Sequence, residues 1–343
     1  MSAHVWRPAG VVIAVCVMAA LGSAEPASAQ SKTGTTIGAF LLIEPSARSA
    51  GMGNTGVTLE GLEAAYFNPA AIGYADGRAL AFGHSEWFAG IKHEHVAGAL
   101  PMGRFGNVYA AVTSLNSGDI DVRTVTQPQG TGERYHVSDI AIGLGYGRQI
   151  TDRFSAGLQV TYVQETIWNT TLSTGTLSIG TLYQISENGL RLGASLLNFG
   201  TMGKFAGRDL RVTYDGDPDR FGDNGQLPAE IFTDAFAVPV LFRVGVGLPV
   251  RLNPVTQLNL AIDALHPNDN TESVSAGAEL AYRKRFALRA GYQKAGEQDS
   301  EVGFTAGGGV GGAYDVYVYT LDYAWAAHGR LGSTHRIAVG LTF

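Results

Sequence analysis

Residues 336–343 read Arg-Ile-Ala-Val-Gly-Leu-Thr-Phe, so every second side chain from Ile337 onward is large and apolar. Successive side chains of a β-strand point to opposite faces of a sheet, and this period of two therefore predicts a strand with one apolar face. The opposite face carries Arg336 together with small residues and a threonine. The apolar face consists of Ile337, Val339, Leu341 and Phe343.

The same alternation recurs along the chain, for example at residues 258–262, 274–282 and 286–292. In each copy the apolar face is free of charge, and the opposite face mixes glycine with isolated charged residues. A charge on the inner face of such a sheet needs a partner, so we expect these residues either to pair with one another and with a plug inside the barrel, or to bind the polar headgroups of a substrate. The predicted inward-facing charges are Arg191, Arg243, Asp263, Glu279, Arg289, Asp322 and Arg336.

Two fold classes share this pattern, because a soluble antiparallel sandwich also has an apolar and a polar face. Here the large residues occupy one face and glycine or charge the other, which is typical of a barrel that turns its apolar side chains toward lipid. From Arg78 onward the sequence accommodates about fourteen strands, an even number as a single-chain bacterial barrel requires. We therefore predict an all-β fold, a transmembrane antiparallel β-barrel over residues 78–343, with a periplasmic sandwich or propeller as the alternative.

The connections between the predicted strands alternate in length, as they do in outer-membrane barrels with short periplasmic turns and long external loops. Aromatic residues near the predicted outer ends of strands fit an interfacial belt. The predicted short turns are 103–106, 151–153, 186–189, 284–285 and 311–312, and the predicted long loops are 117–135, 168–173, 200–236, 266–271, 294–301 and 328–333. The aromatic residues are Trp87, Phe88, Trp168, Tyr323 and Trp325.

The composition excludes other classes of protein. With 45% hydrophobic and 16% charged residues the chain is too apolar to be disordered, and a net charge of −6 leaves no basic face for nucleic acid. Residues 1–29 read as a secretory signal peptide, since Arg7 precedes an apolar run and Ala27-Ser28-Ala29 offers a cleavage site. The only cysteine, Cys16, lies within this signal. An exported barrel of this kind is expected in the cell outer membrane, in contact with outer-membrane lipid.

Residues 30–77 do not alternate, and they predict a plug or hatch segment that fills the barrel. The glycines near residue 51 indicate close backbone packing, and Asn68-Pro69 is a typical start of a short helix. A compact plug of this kind would also explain the glycine on the inner face of the strands. The residues of this predicted plug motif are Arg48, Gly51, Gly53, Asn68 and Pro69.

The stretches PSARSAGMGNTGV (45–57) and AAYFNPAAIG (64–73), with HSEWFAGI (84–91) and VPVLFRVGVG (238–247), resemble the PorV/PorQ family of outer-membrane proteins. That family is itself similar to FadL-type fatty-acid transporters, which are fourteen-stranded barrels with an N-terminal hatch. Position 71 is alanine where the family more often has glycine. The resemblance implies a role in type IX protein secretion, with a secretion translocon and exported cargo proteins as partners.

The alternative function is FadL-like passage of hydrophobic small molecules across the outer membrane. A kinked strand that opens a lateral hole beside an apolar pocket in the lumen would favour this alternative, whereas a sealed wall with protruding, partner-sized loops would favour secretion. In either case we expect the strand ending at Phe343 to be the signal that the barrel-assembly machinery recognises.

Three further motifs suggest chemistry, although we predict neither a catalytic residue nor a metal or cofactor. The acidic stretch 215–226 spaces its carboxylates like a calcium loop but lacks the glycine and the glutamate of an EF-hand. The glycine run 307–312 matches a dinucleotide fingerprint but opens no helix. An outer-membrane lipase or deacylase is a third hypothesis, for which the candidates are His84, Ser85, Glu86, His93 and His95.

Overall fold

The computed structural model describes residues 34–75, 77–186, 189–217, 219, 225–297 and 300–343. The predicted signal peptide and residues 30–33 of the predicted plug lie outside the described residues. So do Pro218, Arg220, Asp223 and Asn224 of the acidic stretch. Among the described residues no helix is both long and apolar enough to cross a bilayer.

Fourteen antiparallel strands form a closed barrel, in which each strand pairs with the next along the chain and the last pairs with the first. The pairing of β14 with β1 joins Thr342 to Ala79 and Arg336 to Ser85. The strands are β1 Ala79–Glu86, β2 Lys92–Pro101, β3 Asn107–Asn116, β4 Val137–Thr151, β5 Phe154–Ile167, β6 Thr170–Gln184, β7 Arg191–Gly200, β8 Leu241–Asn253, β9 Thr256–Pro267, β10 Ser273–Tyr282, β11 Phe286–Ala295, β12 Phe304–Tyr314, β13 Tyr317–Ala327 and β14 Ser333–Thr342.

In the part of the chain that the structure describes, helical structure is confined to short pieces. One α-helix, α1 Ala47–Gly51, precedes the barrel, and the N-cap Ser46 accepts a hydrogen bond from the backbone N–H of Ser49. The 3-10 helices are Ala39–Leu42, Leu62–Ala64, Pro69–Tyr74, Phe88–Gly90, Gly103–Phe105, Arg208–Leu210 and Gly329–Leu331. Short strands in the loops are Ile120–Asp121, Arg134–Tyr135, Gly203–Lys204, Ala206–Gly207, Arg211–Tyr214, Leu227–Glu230 and Ala235–Phe236.

Most of the large apolar side chains of the strands face outward, which confirms the barrel and excludes the sandwich. Ile262 is 51% exposed and Leu288 is 69% exposed, while their neighbours Asp263 and Arg289 are buried. A sandwich would have enclosed Ile262 and Leu288 between its layers. An outward apolar face of this kind is stable only when a lipid bilayer covers it.

The two ends of the barrel differ in their connections. At the end where β1 begins and β14 finishes, here called the terminal end, the connections are short; the opposite end, the loop end, carries the long loop of residues 201–240. The sequence therefore predicted correctly that the two longest loops, 117–136 and 201–240, lie at the same end of the barrel. The terminal-end connections are 102–106, 152–153, 185–190, 254–255, 283–285 and 315–316, and the loop-end connections are 87–91, 117–136, 168–169, 201–240, 268–272, 296–303 and 328–332.

Two predicted connections are wrong. Gly311 and Gly312 lie within β12, and the turn falls at residues 315–316. A Cβ at Gly312 would overlap the hydroxyl of Tyr319 on β13, so this glycine accommodates a neighbouring ring and does not mark a turn. The predicted long loop 168–173 is a two-residue turn, because β6 already begins at Thr170, which pairs with Ile167.

The lipid-facing position of Ile262, near the middle of β9, allows a test of the barrel's orientation. We expect Ile262→Lys to destabilise the folded barrel by about 2–4 kcal/mol, the cost of a lysine at mid-depth in a bilayer. Thr320→Lys is the matched control, since Thr320 lines a polar cavity on the inner face. Urea titrations in lipid vesicles measure both changes, and equal losses for the two variants would contradict an outward-facing Ile262.

Candidate functional site

The N-terminal segment, residues 34–75, lies against the inner face of the barrel strands. Helix α1 packs on β12, β13 and β14, and the 3-10 helix Pro69–Tyr74 packs on β4, β5 and β6 on the other side. Polar side chains of the strands bond directly to its backbone: Ser195 Oγ donates to the carbonyl of Phe67 at 2.7 Å, and Ser155 Oγ to that of Ala70 at 2.8 Å. The segment is thus fixed to strands from both halves of the barrel.

Glycine allows the segment and the strands to meet backbone to backbone. A Cβ at Gly277 would overlap the carbonyl oxygen of Met52, and one at Gly291 would overlap the backbone of Gly53. Gly53 itself has a left-handed φ of 69°, and a Cβ there would lie 2.6 Å from the carbonyl oxygen of Ala276. These positions cannot accept a larger side chain unless the backbone moves.

Asn68 begins the helix Pro69–Tyr74, as its sequence predicts. Its Oδ1 accepts from the N–H of Ala70 at 3.0 Å, and Pro69 occupies the first helical position. The amide nitrogen of Asn68 donates to the carbonyls of Val57 and Thr181, both at 2.9 Å. A single buried side chain therefore caps the helix and ties the segment to β6.

One network of charges connects Arg48 of the segment to three strands. Arg48 makes a bidentate contact with Glu279, with distances of 3.0 Å from Nε and 2.7 Å from Nη2. Arg289 bridges Glu279 and Asp322, at 2.6 Å to each. Paired, hydrogen-bonded carboxylates of this kind tolerate burial because every charge has a near opposite.

A second network surrounds Arg243, which is 1% exposed. Its guanidinium donates to Glu44 at 2.9 Å and to the carbonyl oxygen of Asn54 at 2.9 Å, and lies 3.7 Å from Asp263. Asp263 also accepts the N–H groups of Gly56 and Val57. The strand charges thus position the backbone of the segment at residues 44–57.

The remaining predicted inward charges have fewer partners. Arg191 pairs with Glu60 of the segment at 2.9 Å and is half-buried. Arg336 is buried; its Nη1 lies 3.3 Å from Asn54 Oδ1, and its guanidinium lies 5.4 Å from the ring of Trp87. In the described residues these contacts join the charges to one another and to the segment, and binding of a substrate's polar groups stays a prediction.

Several of the aromatic residues predicted at the interface pack against one another at the loop end. The rings of Trp87 and Phe88 lie 5.3 and 4.9 Å from that of His328, and both residues are half-buried. Burial, with the charges of Arg336 and Lys294 nearby, lowers the pKa of His328 to about 4. The imidazole is therefore neutral near pH 7. Trp168 and Tyr323 are exposed, and Trp325 is half-buried.

A largely apolar pocket lies at the loop end, between the segment and strands β8 to β11. This loop-end pocket has a volume of about 330 Å³. Leu42, Leu241 and Leu265 supply its apolar wall, and Asp269 and Lys294 are among its polar residues. A largely apolar pocket of this size with a few polar groups is typical of a small-ligand site.

A polar cavity of about 410 Å³ lies at the terminal end, on the other side of the segment. Arg48, Glu63, Lys284 and Arg285 line it. Burial and the neighbouring carboxylate of Asp322 raise the pKa of Glu63. The segment therefore separates an apolar pocket from a polar cavity along the inside of the barrel.

Strand β11 is irregular where it borders the loop-end pocket. The register between β10 and β11 shifts between Val274 and Ala276, and Lys294 has a φ of 52°. The backbone N–H of Lys294 donates to Ser275 Oγ at 3.0 Å, so a side chain takes the place of the lost ladder bond. A bulge of this kind bends the strand that contains it.

The other motifs form no recognisable reactive site in the described residues. Ser85 Oγ and both ring nitrogens of His93 have no hydrogen-bond partner there, His95 bonds to Thr113, and His84 pairs with Glu94. No cluster of metal-ligating side chains occurs in the described part of the chain. The glycine run 307–312 lies inside β12, and Asp217 of the acidic stretch bonds through its N–H to Asp215.

Comparison with known proteins identifies the fold. No protein-family model matches the chain, and no curated protein matches its sequence. Solved structures do match: the Ralstonia pickettii toluene transporter TbuX has a TM-score of 0.53 at 12% identity and covers 85% of this chain and 96% of its own. The fold is that of FadL-type outer-membrane barrels.

Two further solved structures are similar to this chain in fold. A Pseudomonas aeruginosa FadL homologue has a TM-score of 0.54 at 10% identity, covering 87% of this chain and 98% of its own. The Pseudomonas putida toluene transporter TodX has a TM-score of 0.51 at 14% identity, covering 85% and 96%. Such low identities establish the fold alone, and nothing among these matches supports the narrower PorV/PorQ resemblance.

Sequence reasoning missed the loop-end pocket entirely. Its residues come from the segment, from the four strands β8 to β11 and from the loops 268–272 and 296–303, and no short motif links them. The only available signal was the polar run Asn268-Asp269-Asn270 after a two-faced strand, which reads equally well as a solvated loop.

Proposed function

We propose that this protein is a FadL-like channel that admits small hydrophobic molecules through the outer membrane. The loop-end pocket carries this proposal, because it offers an apolar wall to a ligand at one end of a barrel whose interior is otherwise closed by the N-terminal segment. The similarity in fold to TbuX and TodX supports the proposal, since both proteins are described as toluene transporters. In the proposed channel the loop end faces the outside of the cell and the terminal end faces the periplasm.

In this mechanism the N-terminal segment is the hatch. An apolar molecule leaves water for the loop-end pocket, where burial of its surface contributes about 25 cal/mol per Å². The segment then has to shift, because residues 44–57 stand between the pocket and the terminal-end cavity. The bulge in β11 beside the pocket bends this strand, and in the proposed mechanism the wall yields there sideways toward lipid.

Filling the pocket tests the proposal. Ala39 lines the pocket but is exposed, so Ala39→Trp should occupy the space without disturbing the barrel core. We expect uptake of a radiolabelled monoaromatic hydrocarbon, by cells lacking their own FadL-type channel, to fall at least tenfold. Direct binding to the purified barrel should weaken to the same degree.

Ala235→Trp is the matched control, since Ala235 is also an exposed alanine at the loop end but does not line the pocket. Its uptake should stay within twofold of the parent protein. Unchanged uptake by Ala39→Trp, with folding verified by gel mobility before and after heating, would refute the pocket as the entry site.

A role in type IX secretion rests on the resemblance of sequence motifs, and nothing in the comparisons adds to it. Its test is a pull-down from detergent-solubilised outer membranes followed by mass spectrometry. Recovery of a translocon together with exported proteins would favour secretion over uptake, and recovery of the barrel with lipid alone would favour uptake. Recognition of the strand ending at Phe343 by the assembly machinery likewise stays a prediction.

A further inference from the structure

The carboxylates of the loop-end pocket differ in whether they have an ion-pair partner. Glu44 is neutralised by Arg243 at 2.9 Å, and Glu297 has the ammonium of Lys294 at 3.4 Å. Asp269 is 9% exposed, and its Oδ2 accepts from the hydroxyl of Thr36 at 2.7 Å. Among the described residues Asp269 has no ion-pair partner. An ionised Asp269 therefore leaves the pocket with an excess negative charge.

The hydrogen-bonding groups of the pocket likewise favour a positively charged ligand. The carboxylate oxygens of Asp269 and Glu297 are acceptors, and the one ammonium of the lining, on Lys294, is already engaged by Glu297. An ammonium group brings three N–H donors to such acceptors, whereas a carboxylate brings only more acceptors and a like charge. At a few ångströms and in a partly buried site, like charges repel by several times the thermal energy.

We infer that the pocket takes apolar molecules that end in an amine, accepts their neutral alcohol counterparts less well, and rejects those that end in a carboxylate. This selectivity rests on the proposed function and adds to it the chemical class of the ligand. The alkyl or aryl part contacts Leu42, Leu241 and Leu265, and the amine reaches Asp269 and Glu297. A free fatty acid is on this account a poor ligand.

Three ligands that each have eight carbon atoms and differ in their headgroup isolate the effect of the headgroup. Binding of octylamine, octanol and octanoate to the full-length barrel in nanodiscs of zwitterionic lipid is measured by calorimetry at pH 7.5, with empty nanodiscs subtracted for partitioning. We expect octylamine to bind at least tenfold more tightly than octanoate, with octanol between them. Asp269→Asn should reduce the ratio of octylamine to octanoate below threefold and leave octanol unchanged.

Controls separate the possible failures. Asp119→Asn removes an exposed loop-end carboxylate outside the pocket and should leave the ratio intact. Glu297→Gln is a second pocket variant, expected to move the ratio in the same direction as Asp269→Asn. If none of the three ligands binds, the proposed uptake function fails; if all bind equally, or octanoate binds best, only the inferred selectivity is overturned.

Discussion

Replacing Gly277 with valine should prevent the N-terminal segment from seating in the barrel. The added Cβ would overlap the carbonyl oxygen of Met52, and both partners are backbone, so no rotation of a side chain relieves the contact. Overpacking usually costs 1–3 kcal/mol, and we expect about 3 kcal/mol or more here because the surroundings cannot adjust. Either the barrel fails to fold or the segment is displaced and the lumen opens.

Single-channel recording in a planar bilayer distinguishes these outcomes. The parent barrel should conduct little, and a folded Gly277→Val barrel should show large, steady openings together with protease cleavage within residues 44–57. Gly308→Val is the matched control, since nothing lies closer than 3.6 Å to a Cβ at that strand glycine. A Gly277→Val barrel that remains closed, stable and protease-resistant would mean that the segment does not depend on this contact.

Arg243→Met should be the most destabilising change of a single charge. Methionine keeps much of the volume but removes the partner of Glu44 and Asp263, and leaves the carbonyl of Asn54 without its donor. Breaking a buried ion pair from one side costs about 3–5 kcal/mol, because an uncompensated charge stays behind. Urea titration of the barrel in vesicles measures this loss in the free energy of unfolding.

Two further variants determine whether the loss of stability comes from buried carboxylates that have lost their cationic partner. Adding Glu44→Gln and Asp263→Asn to Arg243→Met should recover a large share of the stability, since neutral amides no longer need the guanidinium. Arg134→Met, at an exposed loop-end ion pair, should change stability by less than about 1 kcal/mol. A triple variant no more stable than Arg243→Met alone would assign the effect to packing against Phe67.

Strand periodicity made the barrel predictable because it is a local property. The alternation around Ile262 and Leu288 follows from the pleat of a single strand, and the absence of charge on one face over many strands left a bilayer as its only partner. The helix start at Asn68-Pro69 was predictable for the same reason, because the capping residue and the proline are adjacent in sequence. The turn expected at Gly311-Gly312 failed because glycine there serves a neighbouring strand, and a single sequence gives no sign of which purpose a glycine has.

Local sequence patterns were enough to predict a membrane barrel with inward charges, since apolar periodicity and isolated charge are encoded residue by residue. Which charges meet, and where a ligand can lie, became visible only in the assembled barrel. Arg243 and Glu44 are distant in sequence, and the loop-end pocket gathers residues from the segment, four strands and two loops. Such contacts depend on the register of all fourteen strands at once and on how closely the segment approaches them, which no local pattern specifies.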